Sequence, residues 1–367
     1  MHRANMLFRL GVLTLLPLAI GCDDSASENA KPLPEPPSLP DTEPEADPPE
    51  AFETEDSRWV FVEDDDMKCM DGSSTGFGIR HNPDSKGLLV HLQDGGGCFN
   101  AISCQSAANK DGFTEQDFWN RNFYTSTLLN DWDSQNPFKD YTHVFVPYCS
   151  GDVFVGNTES GYDGLVQQGS KNVDVVLDRI SHHMQDSFET VVLSGISAGG
   201  VGAVFNYEHA KKSFGSKVKG LISDSAPILD DNVLSPCLQE TIRDTWSLPE
   251  ELPNECEGCE NLEKGGLTSI YDYLANKYKG DSFGLLGTKQ DPVFRLFYSF
   301  GVPCTDSGLE TSDFDFANGV DHFEARLSQF DNVHTIFFDT PEHGLLLGRN
   351  SIDLRLRDWV SDFESGL

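Results

Sequence analysis

The chain has 367 residues, of which 60 are acidic and 26 basic, giving a formal net charge of −34. Contacts to phosphate groups need lysine and arginine, so this balance argues against nucleic-acid binding. Hydrophobic residues make up 38% of the chain and include 25 phenylalanines, which suffices for one large α/β core with shorter appendages.

The first 22 residues have the pattern of an export signal. Basic residues precede an apolar run over 10–20, which is too short to span a bilayer. The sequence Leu-Ala-Ile-Gly-Cys at 18–22 resembles a bacterial lipobox, in which Cys22 becomes the lipidated mature N-terminus. The alternative is an ordinary signal peptide with an incidental Cys22. We predict an exported protein, anchored to a membrane of the cell envelope through Cys22 or else secreted.

Residues 23–55 form a predicted linker between this signal and the rest of the chain. The segment is rich in proline and acidic residues and poor in apolar ones. Such a composition cannot bury enough surface to offset the entropy lost on ordering, and its prolines favour extended conformations. We therefore expect a disordered tether, followed by one folded domain over 56–367.

Short apolar runs recur along this domain and are typical of buried parallel strands. They lie at 87–92, 142–147, 189–194, 218–223, 282–286 and 333–338. Helical patterns over 173–184 and 200–212 separate some of them. The alternation predicts an α/β fold of the α/β-hydrolase type, with a mainly parallel sheet covered by helices on both faces. Active sites of such sheets lie at the carboxyl ends of the strands.

A glycine-rich loop follows the first of these runs, with the sequence Asp-Gly-Gly-Gly-Cys-Phe-Asn at 94–100. It lacks the lysine and serine or threonine of a phosphate-binding loop. Glycines here let backbone N–H groups approach a substrate oxygen, as in the oxyanion hole of hydrolases. We predict that Gly96 and Gly97 supply such N–H groups, the alternative being a plain turn.

The third run leads into Gly-Ile-Ser-Ala-Gly-Gly at 195–200, before a predicted helix. A serine on a sharp turn between strand and helix needs small neighbours, because its backbone is strained and crowded. The pattern predicts Ser197 as a nucleophile and the N–H of Ala198 as a further oxyanion donor. The alternative is a glycine-rich turn of structural use only.

A serine nucleophile needs a base and an orienting acid, in the order serine, acid, histidine for this fold. His343 lies in a loop directly after the last strand, where the base belongs, unless it is only a surface histidine. The other candidates after Ser197 lie in predicted helices or strands: His209, His322 and His334.

Two aspartates compete for the role of acid. Asp291 follows a predicted strand and precedes a proline, which indicates a helix N-cap. Asp224 follows the preceding strand in a tight turn of small residues. We favour Asp291 over Asp224, with Asp306 as a third choice; capping alone is the structural alternative for Asp291.

Nine cysteines are present, and eight remain if Cys22 is lipidated. They are Cys69, Cys98, Cys104, Cys149, Cys237, Cys256, Cys259 and Cys304. An even number in an exported chain predicts disulfides. The Cys-Glu-Gly-Cys segment at 256–259 has no second pair or histidine cluster beside it, so we predict disulfide cysteines there and no metal.

Three segments together resemble the pectin acetylesterase and Notum family of carboxylesterases. They are His-Leu-Gln-Asp-Gly-Gly-Gly-Cys at 91–98, Val-Pro-Tyr-Cys-Ser-Gly-Asp at 146–152 and Gly-Ile-Ser-Ala-Gly-Gly at 195–200. The resemblance covers about residue 59 to the C-terminus. It implies removal of small acyl groups, such as O-acetyl from a polysaccharide, by the serine, histidine and aspartate named above, with no cofactor or metal.

Two further readings of function stay open. A lipase, thioesterase or polyester depolymerase can use the same scaffold, since a fold does not fix a substrate. A surface-tethered binding protein with an inactive hydrolase fold belongs to a different class. We expect a monomer whose partner is an acylated substrate.

Overall fold

The computed structural model describes residues 49, 51–120, 127–230, 233–248, 252–260, 265–300, 313–347 and 354–367. The predicted signal peptide with Cys22 lies outside these residues, as does the predicted linker except for 49 and 51–55. Asp306 and Cys304 lie outside them as well. In the described part of the chain, no helix is both long enough and apolar enough to cross a bilayer.

One sheet of eight strands runs through the domain in the order β1-β2-β4-β3-β5-β6-β7-β8. The strands are β1 Trp59–Lys68, β2 Ser74–Arg80, β3 Gly87–Leu92, β4 Thr142–Val146, β5 Thr190–Ile196, β6 Val218–Asp224, β7 Ser282–Thr288 and β8 Val333–Phe338. Strands β4, β3, β5, β6, β7 and β8 are parallel to one another, whereas β1 and β2 add antiparallel pairs at one edge.

The six predicted strands are confirmed, and each begins and ends close to its predicted limits. The sequence pattern did not single out β1 and β2. Strand β1 carries three consecutive aspartates at 64–66, and β2 alternates glycine with larger residues. Strand β1, at the edge of the sheet, exposes part of its surface to water, so it needs no continuous apolar run. Strand β2 is buried between β1 and β4, but its glycines interrupt the apolar pattern.

Eleven helices accompany the sheet within the described residues. They are α1 Ser103–Ser106, α2 Glu115–Asn120, α3 Gly169–Met184, α4 Ala198–Phe205, α5 Tyr207–Phe214, α6 Pro236–Trp246, α7 Glu257–Glu260, α8 Ser269–Lys277, α9 Pro292–Ser299, α10 Asp313–Leu327 and α11 Leu354–Ser365. The structure has two helices where a single helix was predicted at 200–212. The break lies at Asn206, whose backbone leaves helical geometry and whose side-chain amide donates to the carbonyls of Phe154 and Gly202.

Side chains of the central strands alternate between two apolar layers. Val191 and Leu193 of β5 pack into the larger layer with α3, α4, α5 and α8, whereas Val192 packs into the second layer with α2 and α11. The predicted α/β-hydrolase-type sheet with helices on both faces is confirmed. It brings the carboxyl ends of β3, β5, β6 and β7 to one edge of the core.

Disulfides are confirmed for most of the cysteines predicted to form them. The described pairs are Cys69–Cys149, Cys98–Cys104 and Cys256–Cys259. Cys237 is disulfide-bonded as well. The second of these disulfides lies in the glycine-rich loop after β3, so it constrains a loop that the sequence assigns to the site.

Candidate active site

Ser197 occupies a strained turn between β5 and α4. Its backbone has φ 55° and ψ −118°, a conformation that residues other than glycine rarely adopt. The Ser197 N–H donates to the carbonyl of Asp224 at 2.8 Å, which ties the turn to the end of β6. Strain of this kind persists only where surrounding contacts enforce it, and it is concentrated at functional sites.

Glycine is required on both sides of Ser197 for steric reasons. A Cβ atom at Gly195 would lie 2.0 Å from the carbonyl oxygen of Gly199. A Cβ atom at Gly199 would lie 2.0 Å from the carbonyl oxygen of Leu92, at the end of β3. The glycines therefore let the serine turn press directly against the neighbouring strand.

The three predicted oxyanion donors lie at one pocket beside this serine. Gly96, Gly97 and Ala198 line it together with Ser197. Gly96 has φ +74°, which favours glycine. Within the described part of the chain, the N–H groups of Gly96 and Gly97 donate to no protein acceptor, and that of Ala198 is the first in α4. All three N–H groups are thus available to an oxygen bound in the pocket.

The structure joins the predicted base and the favoured acid. His343 Nδ1 lies 2.7 Å from Asp291 Oδ2, and the Asp291 side chain is 1% exposed. The other oxygen of Asp291 accepts from the N–H groups of Val293 and Phe294 at 2.8 and 3.0 Å, so the predicted N-cap of α9 is confirmed. One carboxylate therefore caps a helix and holds an imidazole.

Electrostatics around His343 favour its protonated form. Burial alone would lower its pKa, but the hydrogen bond and charge of Asp291 and the charges of Asp224 and Asp94 outweigh burial and raise the pKa above 6.5. A base with a raised pKa accepts a proton more readily.

Asp224, the alternative acid, makes different contacts. Its oxygens accept from Leu346 N–H at 2.7 Å and from Ser225 Oγ at 2.8 Å. Ser225 Oγ in turn accepts from Gly344 N–H at 2.9 Å. Burial raises the pKa of Asp224 to about 6. Asp224 and Ser225 thus hold the backbone that follows His343.

The remaining histidines lie elsewhere. His209 on α5 pairs with Asp174 Oδ1 at 2.7 Å, His322 lies on α10, and His334 is exposed on β8. Among the described histidines after Ser197, His343 alone lies in a loop at the carboxyl edge of the sheet. Its ring is 6.1 Å from that of Phe294, which lines the pocket with Ser197.

Nearly all the side chains around the pocket are apolar. The lining consists of Gly96, Gly97, Phe99, Val153, Val155, Ser197, Ala198, Val201, Phe205, Ile228, Leu234, Leu238, Ile242, Trp246, Leu248, Leu267, Phe294, Phe297 and Tyr298. Trp246 closes it beside the glycine-rich loop, since its Nε1–H donates to the carbonyl of Cys98 at 3.0 Å. The pocket is suited to an apolar group next to the serine.

The sequence patterns assigned no role to three residues at the site, although Tyr148 lies in the 146–152 segment of the family resemblance. Ser225 supports the His343 loop, Trp246 closes the pocket, and the Tyr148 hydroxyl contacts the glycine-rich loop. Each reaches the site from a distant part of the chain. Ser225 has a backbone φ of 50°. The amino-acid sequence does not indicate that a serine has a positive φ, as it often does for glycine.

The fold is the α/β-hydrolase fold, with its polar residues gathered at the carboxyl ends of the strands. Residues 52–273 match the family model described as Pectinacetylesterase, which covers more than half of the chain, and the chain belongs to that family. The resemblance predicted from the three motifs is confirmed.

Curated relatives include the palmitoleoyl-protein carboxylesterases NOTUM of Schmidtea mediterranea and Drosophila melanogaster. The first is 32% identical over 182 residues, 46% of this chain and 34% of the relative. The second is 29% identical over 323 residues, 80% of this chain and 45% of the relative. The matches thus span about a third to a half of these relatives' lengths.

A solved structure, that of the Wnt deacylase Notum from Drosophila, has a similar fold. Its TM-score is 0.60 at 20% sequence identity, and the superposition covers 84% of this chain and 94% of that one. At this identity the likeness establishes the fold alone.

Proposed function

We propose that this protein is a serine carboxylesterase in which Ser197 is the nucleophile, His343 the base and Asp291 the acid. The observation that carries the proposal is the 2.7 Å contact between His343 and Asp291 at the edge of the sheet where the strained turn holds Ser197. Membership of the pectinacetylesterase family supports the same reaction class.

The reaction proceeds by acyl transfer through an ester intermediate. His343 Nε2 takes the proton from Ser197 Oγ as that oxygen attacks the ester carbonyl, and the protonated ring then gives the proton to the leaving alcohol. Asp291 keeps the other ring nitrogen protonated, which leaves Nε2 free to act as the base. Water repeats the sequence on the acyl-enzyme and releases the acid.

The N–H groups of Gly96, Gly97 and Ala198 stabilise the oxyanion that forms in each step. They belong to two segments that the sheet brings together, the loop after β3 and the start of α4. Donors fixed in place before the reaction need no reorganisation as charge develops, and losing one such donor typically costs about 10²–10³ in kcat.

The apolar lining supports an acyl group longer than acetyl. Each buried CH₂ group contributes about 0.8 kcal/mol, so kcat/KM for an ester series is expected to rise about fifteenfold for every two carbons until the pocket is filled. The NOTUM relatives, by their names, act on palmitoleoyl groups of proteins.

Acetyl ester hydrolysis, for example on an acetylated polysaccharide, is the second candidate. The family description and a relative named pectin acetylesterase 7 from Arabidopsis thaliana, 29% identical over 147 residues, favour it. Nitrophenyl esters from two to sixteen carbons, assayed below their solubility limits, separate the two. A maximum at the acetyl ester would reject the longer acyl group.

Covalent labelling tests the mechanism independently of the substrate. A fluorophosphonate should label the wild type at Ser197, and Ser197→Ala should be unlabelled and inactive while its circular dichroism is unchanged. A matched control is Ser194→Ala, in the preceding strand, which should still be labelled. A wild type that resists labelling would favour the inactive, binding-protein reading.

We also propose that the protein is exported and lipid-anchored. The disulfides among the described cysteines support an oxidising compartment. The anchor itself is proposed from the lipobox-like sequence that ends at Cys22.

A further inference from the structure

A buried hydroxyl group, that of Tyr148, bonds directly to the glycine-rich loop. Tyr148 Oη lies 2.8 Å from the carbonyl oxygen of Gly96 and 2.8 Å from the backbone nitrogen of Val153. The Val153 N–H can only donate, so the hydroxyl oxygen accepts from it. The single hydroxyl proton is therefore directed to the carbonyl of Gly96.

Tyr148 is itself fixed through both its backbone and its ring. Its own N–H donates to Gln93 Oε1 at 2.9 Å, and its carbonyl accepts from Asn109 Nδ2 at 2.6 Å. Its ring is fully buried, with a centroid 4.9 Å from that of Phe154. It also packs so closely on Gly95 that a Cβ atom there would lie 2.0 Å from Tyr148 Cδ1.

The contact with Gly96 sets the direction of the next N–H group. The carbonyl of Gly96 and the N–H of Gly97 belong to one planar trans peptide and point in opposite directions. Gly97 lines the pocket with Ser197, and Tyr148 does not. The Gly97 N–H consequently points away from the tyrosine, and no protein acceptor in the described part of the chain engages it.

We propose that Tyr148 is a positioning residue for the oxyanion hole, acting through the peptide between Gly96 and Gly97. This rests on the proposed esterase function. The hydroxyl prevents rotation of that peptide, and by bonding to its carbonyl it also polarises the N–H and makes it a better donor. The effect is felt when negative charge forms on the substrate oxygen, and much less when the neutral ester binds.

The test is Tyr148→Phe, which keeps the buried ring and removes only the hydroxyl. We expect kcat to fall about 10–100-fold with KM changed less than about threefold, because the Gly97 donor is disordered rather than deleted. A trifluoromethyl ketone carrying the preferred acyl chain provides a second readout. Ser197 Oγ adds to its carbonyl carbon, His343 takes the proton, and the oxyanion remains in the hole. Its Ki should rise by the same factor as kcat falls.

Tyr207→Phe is the matched control. The Tyr207 hydroxyl is also buried and donates to Asp281 Oδ2 at 2.9 Å, but Tyr207 does not line the pocket. Both variants lose one buried hydroxyl, so thermal unfolding should report similar losses of stability. Only Tyr148→Phe should lower kcat and weaken the ketone.

Three results would overturn the role of Tyr148. One is an unchanged kcat and Ki in Tyr148→Phe. Another is an equal loss of kcat in Tyr207→Phe, which would reveal a general effect of stability. The third is a rise in KM alone, which would assign Tyr148 to the pocket wall through Val153. Failure of the esterase proposal is distinguishable, since the wild type would then resist fluorophosphonate labelling at Ser197.

Discussion

The structure predicts opposite effects on turnover when each of the two candidate acids, Asp291 and Asp224, is replaced by asparagine. In Asp291→Asn, the N–H groups of Val293 and Phe294 require an oxygen at the cap. The amide oxygen must therefore stay there, and the NH₂ group turns to His343 Nδ1. That nitrogen then has to accept, so the ring carries its proton on Nε2 and cannot take one from Ser197.

The cost of this wrong tautomer is large, whereas the fold is preserved. The equivalent change in another serine hydrolase lowers turnover about 10⁴-fold, and we expect a similar loss for Asp291→Asn. Asparagine caps helices about as well as aspartate, so the free energy of unfolding should change by less than about 0.5 kcal/mol.

Asp224→Asn should behave differently, because its partners can adapt. The amide oxygen can keep the bond from Leu346 N–H while the NH₂ group donates to Ser225 Oγ, which still accepts from Gly344 N–H. We expect less than about a tenfold loss of kcat, since one rearranged hydrogen bond contributes about 1 kcal/mol.

The assay is steady-state hydrolysis of the best nitrophenyl ester by both variants, with thermal unfolding to confirm that each is folded. If Asp224→Asn loses the greater part of its activity and Asp291→Asn keeps it, the assignment of the acid is wrong. If both keep activity, the acid lies elsewhere, and Asp306 is the next position to change.

Three further predictions concern pH, the disulfides and the anchor. The ring of His343 must be neutral to act as a base, and its pKa is raised above 6.5, so the acidic limb of the kcat/KM profile should lie above pH 6.5. Asp94→Asn removes one of the charges that raise this pKa and should move the limb to lower pH. An unmoved limb would contradict the assignment of the limb to His343 and its acidic neighbours. Replacing Cys69 and Cys149 by alanine removes a disulfide with a sequence separation of 80 and should lower the free energy of unfolding in urea by about 4 kcal/mol, because closing a long loop restricts the unfolded chain most. Removing the Cys-Glu-Gly-Cys disulfide should lower it much less. Equal losses would refute this dependence on loop length. A clickable fatty-acid analogue should label the wild type in cells and not Cys22→Ser, and an unlabelled, fully soluble wild type would rule out the anchor.

Much of the fold could be predicted from local patterns. Mostly apolar runs such as 87–92 and 218–223 indicate strands buried on both faces. The few buried polar side chains in them are hydrogen-bonded, as His91 is to Ser194 and Ser223 is to Gly200. The glycines around Ser197 are similarly informative, since the close approach of strand and turn leaves no room for Cβ atoms. Strand β1 was not predicted because its partial exposure to water relaxes its sequence requirements. Strand β2 was not predicted because close packing requires glycine at 76 and 78, which interrupts the apolar pattern.

The residues of the candidate site that directly follow a strand could be predicted from the sequence. Ser197, Asp291 and His343 each follow a strand that the sequence identified, and parallel strands bring their carboxyl ends to one edge. The sequence alone left Asp224 as a competitor, because it occupies the same kind of position after the preceding strand.

Only the tertiary structure shows that Asp291 contacts His343 whereas Asp224 contacts Leu346, and that other residues support the loops of the candidate site. The 2.7 Å contact of Asp291 with His343, the bond of Asp224 to Leu346, and the bond of Tyr148 to Gly96 join residues dozens of positions apart. Such contacts depend on side-chain directions and loop paths that arise from packing of the whole domain. Local periodicity and spacing report which element a residue belongs to, but they carry no information on which distant hydroxyl or carboxylate it meets.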